Sequence, residues 1–141
     1  MNSQTYNICC QHSVTEGDYE RMTTRTLMKL GVPANTKGFH YIKTAVLLGI
    51  ENPIGLTSMS KFVYPAIAEH YKSDSIASIE RAMRYAISQS CVRGDCDFIC
   101  ELFYFTDNIK YYNPTNREFL AVVVEYIKQF CIGNTGSLVA S

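Results

Sequence analysis

Residues 76–93 read Ile76-Ala77-Ser78-Ile79-Glu80-Arg81-Ala82-Met83-Arg84-Tyr85-Ala86-Ile87-Ser88-Gln89-Ser90-Cys91-Val92-Arg93. Ile79, Met83, Ala86 and Ile87 recur at the three- and four-residue steps that align side chains on one side of an α-helix, and Arg81 and Arg84 fall on the other side. A helix built this way buries one face in a core and offers two guanidinium forks to an anion. Upstream, Ser58 to Tyr71 carries a second short helical pattern, and Lys72, Ser73, Asp74 and Ser75 form a polar stretch between the two. The pair reads as a helix-turn-helix, which puts duplex DNA first among candidate ligands.

Working outward, nearly the whole chain reads as helix. Glu16 to Leu30 forms the first, with Met22, Leu27 and Leu30 among its apolar positions, and Gly31 and Pro33 stop it. Asn35 to Gly49 forms the second, with Phe39, Ile42 and Val46 on its buried stripe, broken by Asn52, Pro53 and Gly55. The third starts at Thr57 or Ser58, whose hydroxyls suit free amides. Its Pro65 lacks an N–H and clashes with the preceding turn, so either the helix kinks there or its regular part starts there. After residues 76–93, Gly94 is a stop and Asp95 caps a fifth helix bearing Phe98, Ile99, Leu102 and Phe103. Thr115 and Glu118 have the spacing of a capping box and open the sixth, with Phe119, Val123, Tyr126, Ile127 and Phe130 on its stripe. The expected organisation is a flexible segment over 1–15, one helical domain over 16–132 and a small, polar, flexible tail over 133–141.

Composition bounds the function. With 141 residues, 47% of them hydrophobic, the chain supports one domain around one core. No run of about 18 uncharged apolar residues is present and residues 1–11 are too polar for a signal peptide, so a cytoplasmic protein with no membrane role is expected. Thirteen basic residues balance thirteen acidic ones, but unevenly: Ser58 to Gly94 sums to plus two, and Asp95 onward to minus three. A domain so weakly polarised binds phosphate through a small patch, with a shallower salt dependence than a strongly basic protein.

Six cysteines raise the question of disulfides or metal. The length and the absence of a secretion signal argue against the first. Cys91, Cys96 and Cys100 are the nearest approach to a ligand cluster, yet no CxxC pair exists and no histidine follows at zinc-finger spacing, so burial is the simpler reading. His12, His40 and His70 share no ligand spacing, and His70 reads as packed and hydrogen-bonded. Neither a nucleophile and base at recognisable spacing nor a phosphate-cradling glycine loop is present, so neither an enzyme nor a cofactor is expected.

Several strings go beyond generic helix. Gly31-Val32-Pro33-Ala34 with Lys37-Gly38, Lys61 with Tyr64-Pro65 and Ile67-Ala68, and Glu80-Arg81-Ala82 with Arg84, Ala86 and Ile87 occur in order. Arg93-Gly94, Leu102-Phe103, Pro114-Thr115-Asn116 and Glu118-Phe119 follow. From about Thr24 to Phe130 the chain resembles the C-terminal DNA-binding domain of stage zero sporulation protein A, the response regulator that starts sporulation in endospore-forming bacteria. The resemblance implies an all-α, compact six-helix domain whose third and fourth helices form the helix-turn-helix, with the fourth in the major groove. It implies promoter boxes of the TGTCGAA type as target, the sigma subunit of RNA polymerase as a partner, and a homodimer on paired sites.

In that family the glutamate and arginine of the Glu-Arg-Ala string approach base edges, which falls here on Glu80 and Arg81. An arginine fork gives two hydrogen bonds to guanine, and a carboxylate accepts one from the cytosine amine. Arg84 then serves a phosphate or second base, and Lys61, Ser75 and the first residues of the fourth helix hold the backbone. Three departures stand out. Ser78 occupies a position where the family commonly has arginine, Tyr85 one where it has histidine and Cys91 one where it has tryptophan; the turn is also one residue longer. The family's phosphorylated receiver domain cannot fit within residues 1–23, which leaves an excised effector domain or a stand-alone version without phosphorelay control.

Blander readings stand beside these. Arg81 and Arg84 also suit an ordinary solvated helix face, and Glu80 pairs naturally with Arg84 at the four-residue spacing. A second class of function is a helical interaction module that has kept the fold and lost specific DNA binding, for which Ser78 and the neutral charge are the supporting features.

Overall fold

A computed structural model describes residues 14–72, 74–103 and 113–140, with the side chains of Cys91 and of 131–140 excepted. The expected 1–15 segment lies almost wholly outside these residues, as do His12 and the side chain at the tryptophan position. Six α-helices make up the described fold, in keeping with the all-α expectation: α1 (Glu16–Lys29), α2 (Lys37–Glu51), α3 (Tyr64–Tyr71), α4 (Ile76–Arg93), α5 (Cys96–Phe103) and α6 (Asn116–Ala140). A 3-10 turn (Pro53–Thr57) and a π-helical turn (Met59–Val63) lead into α3.

Local chemistry sets most of these boundaries. Thr15 and Asp18 form a reciprocal capping box at the start of α1, and the Thr36 hydroxyl accepts from the Phe39 amide to start α2. Asp95 accepts from the Phe98 amide at 3.2 Å, and Thr115 and Glu118 close the capping box of α6 at 2.9 and 3.1 Å. α6 then remains helical to Ala140, through the stretch expected as a tail from Gly133.

Of the two forms expected for the third helix, the structure takes the second, in which the regular part starts at Pro65. A single helix from Ser58 is replaced by the 3-10 turn, the π turn and α3, with Pro65 in the first turn of α3, where its missing N–H has no partner to lose. Neither Thr57 nor Ser58 caps α3 through its side chain; the Thr57 hydroxyl donates back to the Ile54 carbonyl at 2.7 Å. Starting α3 at Tyr64 also sets its buried line along Val63 and Ile67 toward Tyr71, one four-residue step at a time. His70 falls off that line, and it is exposed, with its ring edge-on to Tyr71 at 4.7 Å between centroids, rather than packed as expected. Cys96, read from sequence as a buried residue, is exposed at the first position of α5, and Cys100 is half-buried.

α2 is the central helix and lies against α1, α4 and α6. Ile42, Val46, Ile67, Ile79, Met83, Ile99, Phe119, Leu120 and Ile127 are fully buried in one continuous core. Each such side chain contributes about 1.5–3 kcal/mol by leaving water. Where α2 crosses α4 the backbones touch: a Cβ on Gly38 would stand 2.3 Å from the Ala82 carbonyl oxygen. The ends of α1 and α4 interlock as closely. Gly31 takes φ +88°, and a Cβ there would meet the Gly94 amide at 2.3 Å.

Candidate nucleic-acid interface

The chemistry of α4 follows from how it is hung. Ile79, Met83, Ala86 and Ile87 are buried to within 2% of full burial, which turns Arg81, Arg84 and Tyr85 to solvent. Its start is fixed by a serine pair. The Ser78 amide donates to Ser75 Oγ at 3.1 Å, and the Ser78 hydroxyl donates back to the Ser75 carbonyl at 2.9 Å. Ser75 is thus the cap at the helix N-terminus, and the Ser78 hydroxyl closes back on its carbonyl.

The turn before α4 is anchored from α2. Lys72 adopts the left-handed conformation that ends α3, with φ 66°. The Tyr41 hydroxyl donates to Asp74, and Lys37 Nζ lies 3.6 Å from the same carboxylate. Burial and the neighbouring Asp74 push the Tyr41 phenol from 10.0 up to about 12. Tyr71 bonds Thr44 at 2.9 Å and donates to the His40 carbonyl at 3.2 Å, so the end of α3 is tied to α2 as well. α3, the anchored turn and α4 are compatible with a helix-turn-helix.

The site residues expected from sequence divide into two groups. Lys61, Glu80 and Arg84 meet in a groove of about 710 Å³ between the π turn, α4 and the start of α6. Arg84 Nη2 donates to Glu80 Oε2 at 3.0 Å, the pair anticipated from the spacing. Arg81, Ser78, Tyr85 and Ser75 lie outside this groove, and Arg81 makes no ion pair among the described residues.

Two residues were missed. Arg117 enters the groove from α6, where Nη1 donates to the Thr57 carbonyl at 3.4 Å. Asn116 joins the floor: its Nδ2 donates to the Tyr64 hydroxyl at 3.0 Å and to the Glu80 carbonyl at 3.2 Å, which pins the start of α6 to α3 and α4. Burial raises the Tyr64 phenol above its ordinary value, the bond from Asn116 opposing it. The string Pro114-Thr115-Asn116 was the only signal in sequence, since these contacts span 36 to 60 residues.

At the other end of α3 a groove of about 730 Å³ carries the opposite charge, with Glu16, Glu20 and Glu51 against Lys43, beside His40, His70 and an aliphatic floor of Leu47, Leu48 and Ile50. Among the described residues no cluster of three or more His, Cys, Asp or Glu is set to hold a metal ion, and no helix is long and apolar enough to cross a membrane. The model of the family described as sporulation initiation factor Spo0A C terminal matches residues 23–127, nearly all of the helical domain and both helices around the anchored turn. The chain belongs to that family, and with it to the DNA-binding effector domains of sporulation-initiation response regulators.

Proposed function

We propose that the protein is a sequence-specific transcription regulator that reads a short promoter box of the TGTCGAA type by laying α4 in the major groove. The observation that carries this reading is the exposed face of α4: Arg81 stands unpaired among the described residues, one residue from a Glu80–Arg84 pair and on a helix whose opposite face is wholly buried. Arg81 is the reader of a guanine edge. Glu80, released when Arg84 turns to a phosphate, accepts from a cytosine amine. Exchange of the pair is inexpensive, because an exposed ion pair at this spacing contributes only about 0.3–0.5 kcal/mol. Lys61, Ser75 and Ser78 hold the sugar-phosphate backbone beside the capped start of α4, and Tyr85 offers a hydroxyl to the next phosphate. The family's sigma-subunit partner and pairing of copies on adjacent boxes belong to the same reading, with α6 and its exposed Phe130 as the surface for them.

Binding of labelled box and scrambled duplexes tests it. Arg81→Ala removes the preference for the box, whereas Lys61→Ala weakens both duplexes alike. An unchanged box-to-scrambled ratio in Arg81→Ala sinks the assignment. The engagement of the Ser78 hydroxyl with the Ser75 carbonyl, where the family commonly has arginine, favours one second reading, an interaction module without specific DNA binding. Absence of binding to the box at micromolar protein and low salt supports that module instead.

A further inference from the structure

We infer that the groove between the π turn, α4 and α6 is a second backbone-phosphate site, with Arg117 of α6 and Lys61 as its cations. The inference rests on the DNA-binding reading above and extends the DNA footprint beyond the helix-turn-helix to the start of α6, to which that reading gives no DNA contact.

Charge is the first ground. The chain is neutral overall, yet this groove gathers Lys61, Arg84 and Arg117 around one carboxylate, Glu80, which Arg84 already neutralises at 3.0 Å. Lys61 and Arg117 are both exposed and make no ion pair among the described residues. Geometry is the second. The bond from Arg117 Nη1 to the Thr57 carbonyl is long at 3.4 Å, so it aims the guanidinium across the groove and exchanges readily for a charge-assisted bond to a phosphate oxygen. The remaining donors of the fork are available to the same phosphate.

Rigidity is the third ground. Asn116, immediately before Arg117, donates at 3.2 Å to the backbone carbonyl of Glu80 and at 3.0 Å to Tyr64. The backbone of Arg117 is therefore held at a fixed distance from α4, and only the arginine side chain remains to be ordered on binding. A phosphate held there stands beside the bases that Glu80 and Arg81 meet. An Arg117 that merely belonged to a solvated face would not change the salt dependence of DNA binding.

The test is duplex binding by the full chain over a range of salt. Arg117→Ala lowers affinity for box and scrambled duplexes by the same factor, about 8-fold at 0.1 M salt, and reduces the slope of log K against log salt by about 0.9, the signature of one lost phosphate contact. Arg117→Lys keeps the slope, and inorganic phosphate at equal ionic strength does not compete measurably, which separates a duplex site from a free-phosphate site. An unchanged slope in Arg117→Ala, with its melting temperature intact and Arg81→Ala still losing discrimination, overturns the inference and leaves the DNA-binding reading standing. A change confined to the box-to-scrambled ratio, or displacement of DNA by inorganic phosphate, also overturns it. Failure of the wild-type chain to bind either duplex removes both.

Discussion

The groove lined by Lys61, Glu80, Arg84 and Arg117 and the groove lined by Glu16, Glu20, Lys43 and Glu51 are nearly equal in volume, about 710 and 730 Å³, and sit at the two ends of α3. Their formal charges are plus two and minus two with histidine neutral. A chain with no net charge thus carries two oppositely charged grooves. Zero net charge therefore excludes neither phosphate binding nor a defined direction of approach. The helix between the grooves has eight residues, roughly 12 Å of rise. This is comparable to the Debye length of about 10 Å at 0.1 M salt, so at that salt the two faces act almost independently.

The comparison breaks most visibly in the double variant Lys61→Ala with Arg117→Ala. Two lost phosphate contacts should lower duplex affinity roughly 60-fold at 0.1 M salt, read by fluorescence anisotropy, and should do so for any sequence. An effect below tenfold would mean that the basic groove is not where DNA lies. Next in size is Gly38→Ala, which drives a methyl group into the Ala82 carbonyl and the Ala86 side chain at the α2–α4 crossing. Loss of about 1–3 kcal/mol is expected in denaturant unfolding, because neither backbone can retreat from the other. Stability equal to wild type would show that the two helices pack less closely than described.

A smaller effect sharpens the contrast from the acidic side. Glu16→Gln with Glu51→Gln should raise duplex affinity less than twofold at 0.1 M salt and more at 0.01 M, where screening reaches about 30 Å. Equal gains at both salts would contradict the independence of the faces. The last effect is alkaline. The Tyr41 phenol is raised from 10.0 to about 12 in the fold, so its contribution is complete below pH 10 and is lost as pH rises toward 12. Tyr41→Phe should flatten that part of the stability profile, measured by circular dichroism melts at stepped pH. A decline identical to wild type would remove Tyr41 from the account.

What was legible in sequence was whatever a short window holds. The bounds of α4, its buried Ile79, Met83, Ala86 and Ile87, the Asp95 cap and the Thr115–Glu118 box all depend on residues three or four apart. The Glu80–Arg84 pair was legible for the same reason. The start of α3 was legible only as a choice, because Pro65 permits a kink or a new beginning equally well, and the exposure of His70 at the end of so short a helix was not legible. Arg117 and Asn116 were hidden for a different reason. Their partners Thr57, Tyr64 and Glu80 lie 36 to 60 positions away and meet them only once α6 has folded back on α4. Periodicity says that a helix has an outside, but not what stands opposite it.

The hydrogen bond from Tyr41 to Asp74 bears on how such proteins tolerate changes in length. Asp74 immediately precedes the Ser75 cap, so α4 is located by a fastening at its own threshold rather than by the distance travelled from α3. A residue inserted ahead of Asp74 should therefore leave α4 where it is. The same residue inserted after Asp74 would rotate the Glu80-Arg81-Ala82 string by about 100°, one helical step, away from the bases.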